Sequence, residues 1–469
     1  MTDHATRRAV EHAVKIVAPW IEYKRALARV PAVSVGIVHE DRVIFANGYG
    51  FANISKRTRA TETTCYRIAS ISKTITATAA LQLAERGALQ LDDRVQTFLP
   101  WFRSTKDAGL ARITLRHLLT HMAGIERDGN TAHWEHRRFP TLAQIRDHVR
   151  EGIVVFRPLE SFKYSNLGYA IAGQVIAAVS GRSYEDHVKE RIVRRLGLTH
   201  TSPTLTARVR GRLAAGYGRD LLSKPRAALP HAETRAMAAA TGFSSNVLDL
   251  CAYMSAQFLG NAALLSDESK REMQRVHWMN KKTDHHYGIG FDLWKVDDTL
   301  IVGHGDGFPG FITRIGMDPE RKIGVAVLTN ALDPLAGTLA NGILSTIGYF
   351  VRHDAQFRAS RRRAPNLARY QGRFFSTWND TEVVRVGGRL VAFGPISDRP
   401  MDEAVLFEPA GRHRFKIGSG SEFGYLGERV TFEFGRKGRL TGLTWGPNRS
   451  RAVRTALRVP NGGGAPGRP

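Results

Sequence analysis

The sequence predicts an α+β fold: an antiparallel sheet flanked by helices, an all-helical region, and a small C-terminal β-barrel-like domain. Three observations carry that expectation. Strand-type runs near the start and around 287–329 bracket a helix-rich centre, so one sheet can be closed by both ends of a domain. Helical patterns, several ended by glycine, fill the stretch between them. Beyond residue 366 only short, evenly spaced β-type runs remain, the pattern of a small antiparallel barrel.

Taken in order, residues 6–28 carry Val10, Val14, Val17 and Ile21 at helical spacing, and Pro31 marks the end of that helix. Two β-rich runs, 32–38 and 42–46, flank His39-Glu40-Asp41 as a hairpin. An alanine-rich helix starts at Ser70 and stops at Gly87, and a short one over 114–123 is closed by Gly124. Further helices are expected over 166–180, ended by Gly181, over 184–195, capped by Ser183 with Asp186, and over 246–258, capped by Ser245. Strands follow at 287–294, 299–303, 311–317 and 323–329, then a helix at 335–351. In the last part, strands over 382–386 and 389–393 flank the turn Gly387-Gly388, and 405–408, 413–417, 429–434 and 440–445 continue the series. The expected domains are 1–355, a charged linker 356–366 containing Arg361-Arg362-Arg363, an all-β domain 367–458 and a disordered Gly/Pro-rich tail 459–469.

Composition excludes several classes. With 42% hydrophobic and 24% charged residues, the 469-residue chain has the make-up of a globular protein. No run approaches the ~18 apolar residues of a membrane span. Met1 to Pro19 lacks an apolar signal core, and Cys65 and Cys251 make no disulfide framework, so a cytoplasmic location is expected. The net charge of +25 comes from arginines scattered over all segments, with no basic helix in groove-reading register and no aromatic-interleaved basic strand. No nucleic-acid partner is expected. His285 and His286 are adjacent, and His117 and His121, four apart on one helix, have no third partner nearby. No metal or cofactor is therefore expected.

The chemistry gathers at three places. Ser70 and Lys73 lie three apart at a helix start, which puts both on one face, about 4.5 Å apart along the axis. A neutral lysine there can take the serine proton, provided burial or a neighbouring cation lowers its pKa from about 10.4. Tyr164 and Asn166 flank Ser165 before an apolar helix, where a hydroxyl can relay a proton and an amide can orient a lysine. The glycine-rich segment from Gly303 to Phe311, with His304, Asp306 and Gly307, sits between two strands and allows close backbone approach to a ligand.

Ser-x-x-Lys, then Tyr-x-Asn, then a His-x-x-Gly segment before a strand resembles the serine β-lactamase and penicillin-binding-protein superfamily, and within it the class C-like esterases, D-aminopeptidases and β-lactamase-related serine hydrolases. The likeness covers about residues 10–352 and implies a β-lactamase/transpeptidase-like fold. It implies that Ser70 is acylated, Lys73 is its base or proton shuttle, Tyr164 passes the proton to the leaving group and Asn166 orients the lysine. It places His304 where penicillin-recognising members carry lysine, and makes the backbone N–H groups of Ser70 and Gly307 the oxyanion hole. It also implies a lipocalin-like C-terminal domain opening at Tyr370-Gln371-Gly372-Arg373-Phe374.

The function expected is a serine hydrolase cleaving a small-molecule ester, amide or peptide through a Ser70 acyl-enzyme. The alternatives are a catalytically silent binding or scaffold protein on the same fold and, third, a true β-lactamase or D,D-peptidase. Histidine at 304 is mostly neutral at pH 7 and weakens recognition of a substrate carboxylate. Asp306 stands where the family usually has glycine. Either it raises the His304 pKa or it crowds the strand edge facing the substrate, and the sequence leaves both open, as it does the oligomeric state.

Overall fold

The apolar run after Pro31 becomes the strand Ala32–His39, buried along its whole length. It turns through Glu40, which has φ +55°, into the long partner Arg42–Asn53. In the computed structural model, which describes residues 3–221, 226–357, 366–420 and 426–453, this hairpin belongs to a nine-stranded antiparallel sheet. From one edge the order is Thr58–Arg59, Arg42–Asn53, Ala32–His39, Ile323–Thr329, Phe311–Asp318, Thr299–Phe308, Asp292–Val296, His286–Tyr287 and Trp278–Met279. The N-terminal hairpin therefore meets the last strand of the series, Val33 opposite Thr329 and His39 opposite Ile323. One sheet closed from both ends is what the strand runs predict.

The expected helices form, with shifted ends. The Ser70 segment is a 3-10 turn, Ala69–Ile71, running into the helix Ser72–Glu85, after which Gly87 takes φ +69°. Every residue from Ser72 to Leu83 is buried, and the threonines at 74, 76 and 78 return their hydroxyls to carbonyls of the preceding turn. The helix over 114–123 is shorter than expected. It spans Leu115–Leu119, with Thr114 and His117 as a reciprocal capping box, so His121 lies beyond its end in left-handed conformation (φ +61°). Asn166–Ser180 runs to Gly181 at φ +65° as expected. Ser183 caps Tyr184–Val188, which continues as a π-type turn over Lys189–Arg194. The cap of Val247–Ser255 is Asn246, not Ser245: its side chain accepts from the Asp249 N–H at 2.8 Å, while Ser245 sits in a two-residue strand. The run 287–294 is not one strand either, because Gly290 at φ +78° breaks it into His286–Tyr287 and Asp292–Val296.

Two compact units are distinguished, Ala28–Asn341 and a second comprising Met1–Leu27 with Gly342–Pro469. The first holds the nine-stranded sheet and the helices from 72 to 274. The second holds a closed antiparallel barrel of eight strands between Gly372 and Ala452. Six were expected; Gly372–Phe375 and Asn448–Ala452, which pair with each other and close the ring, were not. Phe374, Phe407, Phe415 and Phe432 fill its interior with Tyr370, the rings 4.9–6.3 Å apart. An eight-stranded barrel has about the bore that side chains alone can fill.

The helix Asp3–Leu27 groups with this barrel, where the sequence reading put 1–355 together. Within the unit the Trp20 indole donates to the Ser397 carbonyl at 2.8 Å, Lys24 pairs with Asp398 at 2.5 Å, and the Arg373 guanidinium lies 4.8 Å over the Tyr23 ring. The helix carries Pro19 in its interior and ends at Leu27, before Pro31. Gln356 and Phe357, the start of the expected linker, belong to the short helix Asp354–Phe357. The rest of that linker up to 365 and the tail 459–469 lie outside the described residues. Among the described residues no helix is long and apolar enough to cross a membrane.

Candidate active site

The turn that presents Ser70 is pinned on both sides. Tyr66-Arg67 pairs as a strand with Ser244-Ser245, the Ile68 N–H donates to the Phe243 carbonyl at 3.0 Å, and Ser72 Oγ both donates to Ala69 O and accepts from the Phe243 N–H. Ala69 is held at φ +48°, a region costly for a residue with a Cβ. The Ile71 N–H donates back to the Ile68 carbonyl at 3.1 Å, which closes the turn around Ser70.

The structure brings together the residues singled out in the sequence. A serine hydroxyl offers one donor and two acceptor positions. All three are filled at Ser70: Oγ accepts from Lys73 Nζ at 2.9 Å and from the Tyr164 hydroxyl at 2.8 Å, and donates to Asp306 Oδ2 at 2.9 Å. Lys73 also donates to Asn166 Oδ1 at 2.7 Å and to the Ala240 carbonyl at 3.0 Å. It is wholly buried, and loss of water pushes its pKa down to about 7, against the pull of Asp306 and with help from Arg127. Near neutral pH a substantial part of it is therefore the free amine. Burial raises the Tyr164 pKa well above its ordinary value, so this hydroxyl keeps its proton and serves as a donor.

Tyr164 and Asn166 owe their positions to the cap between them. Ser165 is the N-cap of Asn166–Ser180: its hydroxyl accepts from the Gly168 N–H at 2.8 Å and donates to the Glu126 carbonyl at 2.6 Å. Asn166 Nδ2 donates to Asp128 Oδ1 at 2.7 Å, which fixes the amide with its oxygen toward Lys73. His121 accepts the Ser165 N–H on Nδ1 at 3.0 Å and lies 4.2 Å from the Tyr164 ring and 4.7 Å from the Tyr287 ring. Burial holds it neutral, its pKa well below the usual 6.5.

His304, Asp306 and Gly307 are on a strand, not in a loop. The ladder between Thr299–Phe308 and Phe311–Asp318 runs without interruption from Val302 opposite Met317 to Phe308 opposite Phe311. The glycines serve close packing: a Cβ at 303 would stand 2.1 Å from the Ile315 carbonyl oxygen, and one at 305 would stand 2.5 Å from that of Thr313. His304 is buried, with Nδ1 3.2 Å from the Gly305 carbonyl and Nε2 3.3 Å from the Tyr287 hydroxyl, a pair satisfied by the Nδ1–H tautomer. Burial lowers its pKa although Asp292 lies 3.9 Å away. Asp306 also pulls the His304 pKa upward, but burial outweighs both carboxylates and the net shift is down.

Asp306 spans the front of the site. Its Oδ2 accepts from Ser70 Oγ, and its Oδ1 accepts from the Gly307 N–H at 2.7 Å. Sequence reasoning missed this bridge, and it missed His121, Asp128, Tyr287 and the Ala240 carbonyl. These act through the named residues across 17 to 167 positions of chain, which no local motif signals. Among the described residues no group of three His, Cys, Asp or Glu is arranged to hold a metal ion.

The antiparallel sheet flanked by helices is the fold of the serine β-lactamase and penicillin-binding-protein superfamily, and the eight-stranded barrel lies C-terminal to it in the chain. The family model described as Beta-lactamase matches residues 17–345, and the chain belongs to that family. Among curated relatives, "Protein flp" of Staphylococcus aureus (strain N315) is 26% identical over 321 residues, covering 66% of this chain and 61% of that protein. Penicillin-binding protein 4* of Bacillus subtilis (strain 168) is 27% identical over 287 residues, covering 58% of this chain and 62% of its own length. The chain thus spans about three fifths of the curated relatives it matches. Among solved structures, the octameric penicillin-binding protein homologue from Pyrococcus abyssi is similar with a TM-score of 0.63 and 25% identity, over 92% of this chain and 98% of that one.

Proposed function

We propose that this protein is a serine hydrolase that cleaves a small-molecule ester, amide or peptide bond through an acyl-enzyme on Ser70. The observation that carries the reading is the wholly buried Lys73, 2.9 Å from Ser70 Oγ with a pKa near 7. In the proposed reaction Ser70 Oγ attacks the carbonyl carbon as its proton passes to Lys73 Nζ. The tetrahedral oxyanion takes the N–H groups of Ser70 and Gly307. Collapse breaks the bond to the leaving group, which departs with the proton relayed from Lys73 through Tyr164. Water then adds to the acyl carbon by the reverse relay and releases the acid. Asn166 keeps Lys73 aimed at Ser70, and Asp128 keeps Asn166 aimed at Lys73.

The site offers a neutral His304 where the superfamily's penicillin-recognising members carry lysine, and the carboxyl side chain of Asp306 where the family usually has glycine. That supports ester, amide or peptide substrates without a carboxylate beside the scissile bond, in preference to penicillins. The relatives' names speak of penicillin binding, and β-lactamase or D,D-peptidase activity is the next reading to test. A second reading, a binding or scaffold protein without turnover, draws support from Asp306, which fills two positions a substrate would need.

A panel of short-chain p-nitrophenyl esters, D-aminoacyl p-nitroanilides and a chromogenic cephalosporin separates these readings. Turnover of a member of the first two groups that is lost in Ser70→Ala supports the proposal. Turnover confined to the cephalosporin moves the protein to the β-lactamases, and Ser70-independent turnover or none supports the silent reading.

A further inference from the structure

We propose that Asp306 is an internal competitor for the oxyanion position, so that the resting site is self-blocked and becomes competent only when this side chain swings out. The inference rests on the hydrolase reading above. Its ground is geometric. A substrate carbonyl oxygen has to sit within hydrogen-bond reach of the Gly307 N–H while its carbon lies against Ser70 Oγ. The Asp306 carboxylate occupies that span itself, Oδ1 on the Gly307 N–H at 2.7 Å and Oδ2 on Ser70 Oγ at 2.9 Å. It stands as the acid product of hydrolysis would stand, one carboxylate bridging the oxyanion donor and the nucleophile.

The block acts on the proton as well. Ser70 Oγ receives hydrogen bonds from Lys73 and Tyr164, so its own hydrogen points at Asp306. For Lys73 to act as base that hydrogen must turn away from the carboxylate toward the amine. Departure of Asp306 achieves both changes at once: it frees the Gly307 N–H and removes the competing acceptor.

The side chain is held by those two hydrogen bonds and by attraction to the buried cations Lys73 and Arg314. Asp306 is the exposed residue of its strand segment, between half-buried Gly305 and Gly307, so the outward swing proposed here leads toward solvent. A site whose competent form is only a fraction of the population binds substrate more weakly by that fraction. The blocked state should therefore raise KM more than it lowers kcat.

The test is the second-order rate constant for labelling of the full chain by an uncharged alkyl fluorophosphonate, measured on the alkaline plateau. Wild type, Asp306→Ala, Asp306→Asn and Ser70→Ala are compared. Expected is a roughly 10-fold or greater acceleration in Asp306→Ala, with a smaller one in Asp306→Asn, which keeps the shape and can still accept from Gly307. Added sodium acetate should slow the Asp306→Ala variant by refilling the vacated place and leave the wild type unaffected at constant ionic strength. Labelling of Asp306→Ala at the wild-type rate or below it overturns the proposal, and a slower rate would make Asp306 a participant in acylation instead. Acceleration insensitive to acetate also overturns it, since the gain would then come from lost charge and not from a vacated place. No Ser70-dependent labelling in any variant strikes the hydrolase reading itself, a result distinct from equal labelling of all three.

Discussion

Lys73 is where a single substitution discriminates most sharply between a working base and a structural cation. Lys73→Arg preserves the positive charge and the capacity to donate to Ser70, Asn166 and Ala240, but a guanidinium does not deprotonate in proteins. In the wild type, a pKa of about 7 makes roughly half the lysines free amine at pH 7, about one in ten at pH 6 and nine in ten at pH 8. The rate of acylation by a chromogenic ester should therefore rise about 10-fold per pH unit below 7 and level off above 8. A positioned general base contributes about 10²–10⁴-fold, so Lys73→Arg should lose at least 100-fold on the plateau, together with the limb near pH 7. Lys73→Met, which removes the buried charge with little change of volume, controls for misfolding and should lose as much. Initial rates between pH 5.5 and 9.5, with thermal unfolding of each variant alongside, make the measurement. Lys73→Arg within 3-fold of wild type, or an unchanged acid limb in either variant, would refute the assignment of Lys73 as the base.

Tyr164→Phe keeps the ring against His121 and removes only the hydroxyl bonded to Ser70, so kcat for an amide should fall about 10²-fold or more with little change in KM, and by less for an ester with a good leaving group. Asp306→Asn removes the anion that most strongly raises the Lys73 pKa; the amine becomes easier to deprotonate, and the acid limb of the pH–rate profile should move below 7. Gly305→Ala puts a Cβ 2.5 Å from both the Thr313 carbonyl oxygen and Arg314 Cδ, and should cost about 1–3 kcal/mol in denaturant unfolding. An unchanged midpoint there would show that the strand relaxes freely.

How much of this was legible in the sequence depended on how local each cause is. The Ser70–Lys73 pair is set by helical spacing, and spacing is written in the chain. The hairpin at 32–46, whose second strand runs on to Asn53, the helix 166–180 and the sheet closed from both ends follow from β-rich and helical patterns and from glycines at helix ends. The segment from Gly303 to Phe311 misled because glycine density usually marks a turn. Here the glycines exist because neighbouring backbone comes too close for a Cβ, a fact of tertiary packing. Asn246 displaced Ser245 as a cap because Ser245 is held in the strand opposite Tyr66. The grouping of the helix Asp3–Leu27 with the barrel rests on contacts more than 350 residues apart in sequence, such as Trp20 to Ser397. Asp306 was visible as a departure from the family pattern, and only coordinates could tell whether its carboxylate faces His304 or Ser70.

The central claim is that Ser70 carries the acyl group, and the most direct test is to catch it there. The full chain is mixed with an activated ester that has a slowly hydrolysed acyl group, quenched in acid within seconds, and weighed intact before peptide mapping. One acyl mass added per chain, located on Ser70, absent in Ser70→Ala and discharged on return to neutral buffer, is the predicted result. No adduct from any ester that the protein turns over, or an adduct of equal yield in Ser70→Ala, would contradict it.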